Sequence, residues 1–561
     1  MTESKPTKCV PPGPNDFLPP QKRHGLGKPT EVLANMYRIA VKKDYPMFRY
    51  TVRTHEIRLH GEQGREMTTG AEDGFTYTCR RELGYRVFYA LSKIRHDIFG
   101  SFYAWVYDRA HLLFTLSVLP FKEKDGDNIF TITLDEVAAV PFHTNITSAD
   151  DLRTRFKIRE TVVAFQVEVI RSTEAASEIR PQDIRAAIDP DLYRRDRATL
   201  QYFEIATSQM IFLNDRHLVY NMKCFERQPD HVRPIGGGQL AHDGFVKSVH
   251  VIKDANGNNV PVMQIDAKAG AFFRKQSALA TLKEFLQMRM HRMQKIRDDE
   301  LLELIEKHHH AIAEYFKDLR LETVLPHIAT SNTFVVTGLS DRSARDIKFT
   351  WTKKDGSAEE ISVAKYYAQQ YGRKLRFDHL PCFTAYGRNN MVTYHPMEVA
   401  QLCPYQRVPL RKLNQPEMTR ISVLKPSVRL DRLRDTVHRI GLIDNAYLDS
   451  LNIILEREML RLPGRILPKP TVTYSGGQEI EPGYAGSWDQ ALRKALIGGK
   501  CTKWLPVFLT DTDNEYVREQ NRQMMTEFVI AFLKRANEFG LKSDIHYFLV
   551  VTESGLDFHG K

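Results

Sequence analysis

Short strand-like runs and amphipathic helical stretches follow one another along 561 residues with no internal repeat. This mixture points to several α+β modules, each long enough to bury a core of its own. At about 150 residues per domain the length corresponds to roughly four of them. VLANMYRIAV and FRYTVRTHEIRLHG show period-two alternation with β-branched residues, the mark of strands. LGYRVFYALSKIRHDI reads as a helix with Val87, Leu91, Ile94 and Ile98 on one face. LLFTLSVLPF, NIFTITLDEV and TVVAFQVEVI return to strands, and a further helix is expected near 181–195.

The turn Ile235-Gly236-Gly237-Gly238 precedes two more strands, GFVKSVHVI and PVMQIDAKA. It lacks the GxxxxGK[ST] arrangement of a phosphate loop and reads as a flexible turn. Residues 277–320 read as continuously helical, with Met288, Met290 and Met293 packing beside Leu286 and Ile296. His308, His309 and His310 are adjacent, so on a helix they point about 100° apart and do not converge on one ion. That triplet, and Asp298-Asp299-Glu300, are read as solvated helix faces. After a compact stretch of strands and one helix, SVAKYYAQQYG, the chain reads as a helical connector over roughly 416–460, closed by a Pro-rich strand. It then gives strand, helix, strand: KWLPVFLTD, the stretch 514–541, and DIHYFLVV. That order is a βαβ unit, with Asp511, Asp513 and Glu515 at the helix N-terminus, where negative charge complements the helix dipole.

No run of ~18 apolar residues exists, so no membrane span is expected. The leader MTESKPTKCVPPGPNDFLPPQKRHG has no apolar signal core and reads as Pro-rich and disordered. In that context the sequon Asn145-Ile146-Thr147 is read as chance. Cys9, Cys79, Cys224, Cys382, Cys403 and Cys501 are scattered with no CxxC or zinc spacing, as in a reduced intracellular protein. Lys and Arg number 80 against 69 acidic residues, a balance that favours a polyanionic partner. Gly498-Gly499-Lys500 is not a Walker motif, because Lys494 and Cys501 occupy the places of its first Gly and its Ser/Thr.

One segment carries recognisable binding chemistry. Between Phe334 and Val399 the rings Phe349, Trp351, Tyr366, Tyr367, Tyr371 and Tyr394 are interleaved with Lys348, Lys365, Arg373, Lys374 and Arg376. Rings stack on unpaired bases, while phenols and cations hold phosphate, as a grip on single-stranded RNA requires.

Within it, Leu380-Pro381-Cys382 followed by Tyr394-His395-Pro396-Met397-Glu398 resembles the signature of PAZ domains. Gly464-Arg465-Ile466-Leu467-Pro468-Lys469-Pro470 resembles the second linker of Argonaute proteins, and Ser487-Trp488-Asp489 with Lys503-Trp504 the approach to their MID domain. KRHGLGKPTEVLANMYRIAV and IFGSFYAWVYDRAHLLFTLSVLPF resemble their N domain. The chain is thus identified as resembling the Argonaute family over residues ~22–561, and its extended loops resemble nematode-type members.

The resemblance implies an α+β multidomain fold: a disordered leader (1–22), N domain (23–160), linker 1 (161–275), PAZ (276–403), linker 2 (404–500) and an incomplete MID domain (501–561). PAZ is expected as a small OB-like β-barrel with an inserted α/β hairpin module, and MID as the βαβ start of a Rossmann-like domain. The implied function is binding of single-stranded small RNA in RNA interference. Phe334, Phe349, Tyr366, Tyr371, Tyr394 and His395 would surround the RNA 3′ end, and Lys365, Arg373 and Lys374 its backbone. Three departures bear on that pocket: Asn332 replaces a usual basic residue, Phe334 a usual Tyr, and His395 a usual aliphatic residue. The nuclease domain, PIWI, and the 5′-phosphate pocket of MID would lie beyond Lys561, so no slicer activity, catalytic residue, metal or cofactor is expected. Silencing-complex proteins are the expected partners, with neither a membrane nor a small-molecule substrate, in the cytoplasm, the nucleus or both. Two alternatives stand beside this: a silencing scaffold or decoy whose degenerate PAZ holds no RNA, and a fragment of a slicing Argonaute.

Overall fold

A computed structural model describes residues 27–560 except 60–62, 68–73, 123–125, 142–145, 157, 174–176, 185–196, 215, 221–222, 229–231, 255, 326–332, 353–355, 388–389, 484–485, 489–492, 502–506, 510–514, 544–546 and 553–554. The expected leader, most of the helix expected near 181–195, and Asn145, Asn332, Asp489, Lys503, Trp504, Asp511 and Asp513 lie outside the described residues. The chain is a mixed α/β protein with two compact units, Leu33–Leu462 and a second built mainly from Pro463–Lys561. Among the described residues none of the sheets closes on itself.

The larger unit begins with an antiparallel sheet ordered Trp105–Tyr107, Leu112–Thr115, Met47–Arg58, Val162–Arg171, Ile129–Thr133. Alternation sets its register: Tyr50 and Val52 face inward, fully buried, as do Val167 and Val169 on the neighbouring strand. Gly74–Ile94 is the helix that covers it. Val87 and Leu91 are buried as expected, but Ile94 is exposed, because Leu83, Tyr85, Phe88 and Ala90 take up the covered face instead. The strand expected in NIFTITLDEV stops at Thr133. There the Thr133 and Glu136 side chains form a reciprocal capping box, and Leu134–Ala139 turns helical.

A second sheet is ordered Ile453–Ile466, Lys28–Val41, Asn259–Phe273, Gln239–Lys253, Lys223–Glu226, His217–Tyr220. The strand Ile453–Ile466 corrects the expected helical connector. Ile453, Leu455 and Met459 are buried at even spacing, which is strand and not helix periodicity. Only Gln415–Ser422, Pro426–Arg439 and Ala446–Ser450 are helical in that connector. Tyr447 ties it to the first sheet, its buried hydroxyl donating to the Trp105 carbonyl at 2.5 Å.

The helical region is also interrupted, into Ala278–Arg289, Leu301–Lys307 and His309–Phe316. His291 at φ 49 marks the break after Met290. Leu286 and Ile296 are buried as expected, whereas Met293 is 96% exposed. Asp298 and Glu300 are not idle solvated groups: Asp298 pairs with Lys283 and Arg376, and Glu300 with Arg292 and Arg297. Of the histidines, His308 falls at the junction of two helices, His309 Nε2 lies 3.3 Å from the Ser340 carbonyl, and His310 is exposed. Gly236, Gly237 and Gly238 all adopt positive φ, as their density implied. That turn is pinned and not loose. Tyr315 donates to the Gly237 carbonyl at 2.6 Å, the Gly238 N–H donates to Glu284, and Asn414 donates to the Ile235 carbonyl.

In the second unit Val507–Leu509 pairs in parallel with Tyr547–Thr552, which pairs antiparallel with Gly555–Gly560. The helix Glu515–Glu538 lies between the parallel strands in sequence, as the βαβ reading expected. No described helix is long and apolar enough to cross a membrane.

Candidate functional site

Three short antiparallel assemblies carry the aromatic segment. Arg320–Thr323 pairs with Thr333–Val335 and Ala400–Leu402; Pro381–Tyr386 sits between Gly338–Ser343 and Val392–Pro396; Lys348–Thr352 forms a hairpin with Ala358–Ser362. Directly after the hairpin comes the helix Val363–Tyr371. Its start is fixed by Ser362, whose hydroxyl accepts from the Lys365 N–H at 3.3 Å, and its end by Gly372 in the left-handed conformation.

Hairpin and helix bring rings together. Phe349 and Trp351 are two residues apart on one strand and so share a face. Both meet Tyr366 edge to face, with centroids 5.3 and 5.5 Å away. The Tyr366 and Tyr371 hydroxyls lie 3.3 Å apart, and Tyr367 packs beneath them 5.4 Å from the Tyr371 ring. Tyr394 reaches the same cluster from Val392–Pro396. Below lies a small core of Ala344, Ile347, Val363, Leu375, Cys382 and Val399. Burial, with the neighbouring Tyr371 hydroxyl second, pushes the Tyr366 phenol well above its ordinary value, so it is a proton donor at neutral pH. Phe349, Tyr366, Tyr371 and Tyr394 are all half-buried.

Phe334 and His395 are not brought into this cluster. His395 follows Tyr394 on the same strand, and successive strand residues point to opposite faces. The His395 ring instead stacks on Phe334 at 3.7 Å between centroids, and Phe334 is buried in the core shared by Phe316, Leu321 and Phe383. Burial pushes the His395 imidazole down to about 4, and its Nδ1 is buried with no hydrogen-bond partner among the described residues.

The cations divide in the same way. Lys365 and Lys374 are exposed and form no ion pair among the described residues. Arg373 lies 3.6 Å from Glu398, a nearly buried carboxylate that also accepts the Phe377 N–H at 2.6 Å. Arg345 and Arg376 are paired with Asp378 and Asp298. Glu398 was legible as the last residue of the Tyr-x-Pro-x-Glu pattern, but not as the anchor of Arg373. Trp351 was visible as one ring among many, and only the hairpin register shows that it abuts Tyr366. Cys382 and Phe383 are core, and burial raises the Cys382 thiol to about 12. Cys224, Cys403 and Cys501 are also free thiols among the described residues. Two adjacent phenols beside flat rings can donate to an anionic oxygen and stack against an unsaturated ring.

The PAZ-domain family model matches residues 290–421. Argonaute 4B of Oryza sativa subsp. japonica is 24% identical over 508 residues, 87% of this chain and 50% of that protein. The argonaute of Schizosaccharomyces pombe is 27% identical over 263 residues, 46% of this chain and 29% of its own length. The chain thus spans half or less of these curated relatives. The crystal structure of Kluyveromyces polysporus Argonaute with a guide RNA has the same fold at 13% identity, with a TM-score of 0.52 over 94% of this chain and 56% of that one. Its PAZ segment, its relatives and its fold are thus similar to those of Argonaute proteins.

Proposed function

We propose that the protein binds single-stranded small RNA in RNA-mediated silencing and holds the RNA 3′ end on the face formed by Phe349, Tyr366, Tyr371 and Tyr394. The observation that carries this is the pair of phenol hydroxyls 3.3 Å apart at the rim of a ring-lined surface. A terminal phosphodiester offers two anionic oxygens, and two neighbouring donors match it. Phe349 and Trp351 supply flat faces for the ribose and last base, each stacked base contributing ~1–3 kcal/mol. Lys365 and Lys374 add a salt-sensitive attraction for the backbone, and Arg373, oriented by Glu398, a weaker one. Phe334 and His395 support this face from behind.

In this reading the hairpin 348–362 and its helix are the inserted module of an OB-like PAZ barrel. The parallel pair 507–509 and 547–552 opens a Rossmann-like MID domain. The expected boundaries of the N domain, both linkers, PAZ and MID belong to the same proposal. The chain acts here by binding, and no residue is assigned a role in cleavage. Its partners are the small RNA and other silencing proteins, in the cytoplasm or nucleus. The test is a binding titration with one RNA sequence presented either with a free single-stranded 3′ end or with that end closed in a hairpin. The free end binds at least tenfold tighter if the reading holds, and equal binding refutes it. Equal and weak binding of both favours the second reading, a silencing scaffold. The filling of the Phe334 position by its stack on His395 is the observation on that side.

A further inference from the structure

A cavity in the larger unit is lined by none of the residues of the aromatic face. It has a volume of about 980 Å³, between the strands His217–Tyr220, Lys223–Glu226 and Gln239–Lys253 and the helix Pro426–Arg439. Arg216, Arg227, Arg432 and Arg439 line it, against two carboxylates, Glu226 and Asp243. Those carboxylates are already engaged. Glu226 accepts from Arg439 at 2.8 Å, and Asp243 is shared by Arg432 and Arg233. Arg227 turns to Glu82, which also holds Arg155. Arg216 is exposed and forms no ion pair among the described residues. Arg439 pairs also with Asp435 at 2.9 Å, so the excess positive charge of the lining, among the described residues, is that of Arg216.

His217 registers that excess. Its Nδ1 is buried with no hydrogen-bond partner among the described residues. Burial first, then Arg439, Arg216 and Arg227, holds the ring neutral down to about 4. An anion in the cavity is attracted by Arg216 and by Arg432 and Arg439 beside it.

The size and the rest of the lining decide what kind of anion fits. A bare inorganic ion leaves most of this volume empty, which lies in the range of pockets for organic ligands. Met210, Leu213 and Ile440 give apolar wall, and the Asn214 and Gln228 amides offer the donor–acceptor pairs that read a heterocycle edge. We propose that this cavity binds a nucleoside phosphate, its phosphate among Arg216, Arg432 and Arg439 and its base against the apolar and amide wall. A free nucleotide and the terminal nucleotide of a strand share this chemistry.

The test is calorimetric titration of the full chain with uridine 5′-monophosphate, uridine, inorganic phosphate, a phosphoserine peptide and a 5′-phosphorylated 10-nucleotide RNA. The monophosphate is expected to bind at least tenfold tighter than uridine or inorganic phosphate. Arg216→Glu weakens it at least tenfold, and the milder Arg216→Ala about threefold, and the His217 ring resonances shift on saturation. The titrations are repeated in a Tyr366→Phe/Tyr371→Phe background, which removes any monophosphate held at the aromatic face. If Arg216→Glu also weakens RNA binding by that double variant, the strand end is the source; if only the monophosphate is affected, the free nucleotide is. Equal binding of the monophosphate by wild type and both Arg216 variants, its failure to bind, or tighter binding of the phosphopeptide overturns the proposal.

Discussion

Phe334 and His395 stack ring on ring, their centroids 3.7 Å apart and their planes 9° from parallel. This contact joins the strands Thr333–Val335 and Val392–Pro396 and leaves Tyr394, one residue earlier, on the opposite face with Tyr366 and Tyr371. The buried imidazole has its protonation range pushed down to about 4, below the ~6.5 of a free histidine. Between those two values the unfolded chain takes up a proton that the folded chain refuses. The contribution is therefore intact above about pH 6.5 and is lost as pH falls toward 4. His217, held down to about 4, acts in the same direction. Unfolding free energies from urea titrations at pH 7.5 and 5 are expected to show a fall of about 2 kcal/mol for each of these two rings. His395→Phe keeps a ring on Phe334 and reduces that fall, whereas an unchanged fall in this variant contradicts the assignment.

Tyr447 and Trp105 link the connector to the first sheet through one buried hydrogen bond. Tyr447→Phe leaves the Trp105 carbonyl without this donor while preserving the ring contact with Phe102. The expected cost is about 1–3 kcal/mol in chemical denaturation, with RNA affinity unaffected. A neutral result means that solvent satisfies the carbonyl.

Gly372 stops the aromatic helix at φ 63, and a Cβ built there meets nothing within 4 Å. Substitution is thus penalised through the backbone alone. Gly372→Ala is expected to destabilise by about 1 kcal/mol, and Gly372→Asn by less, because Asn tolerates the left-handed region. Equal losses for the two place the cost elsewhere.

The helix Glu515–Glu538 buries Val529 but exposes Met524, Phe528, Ile530 and Phe532. With so little apolar burial among the described side chains of this helix, local opening is expected to be easy. Amides of 501–561 should exchange at least tenfold faster than those of 381–396 in a hydrogen–deuterium exchange series. Equal protection excludes this.

Much of this fold was legible because periodicity reports burial. The strands 32–41, 48–58 and 162–170, the helix 363–371 and the final βαβ order all follow from spacing and caps. Legibility failed where tertiary contacts decided. NIILEREML has enough helix formers to read as helix, yet its alternating Ile453, Leu455 and Met459 found a strand partner hundreds of residues upstream. The break at 290–297 has no proline to announce it. In the candidate site, residue types and the Leu-Pro-Cys and Tyr-x-Pro-x-Glu patterns picked out Tyr366, Tyr371 and Tyr394. They could not separate Tyr394 from His395, because only strand pairing assigns the two to opposite faces. The arginine-lined cavity left no trace in sequence, since Arg216, Arg432 and Arg439 meet only through the fold.

The central claim, that the Tyr366–Tyr371 hydroxyl pair grips an RNA 3′ end, is tested most directly by removing the two oxygens and nothing else. Tyr366→Phe/Tyr371→Phe keeps every ring contact, so the fold should persist with unchanged circular dichroism. Binding of a short single-stranded RNA with a free 3′ end, titrated at several salt concentrations, should weaken by at least roughly 100-fold, from the loss of two hydrogen bonds to a charged group at about 1.5–3 kcal/mol each. Its salt slope should stay the same, since the lysines that set it are intact. Wild-type affinity in the double variant contradicts the account.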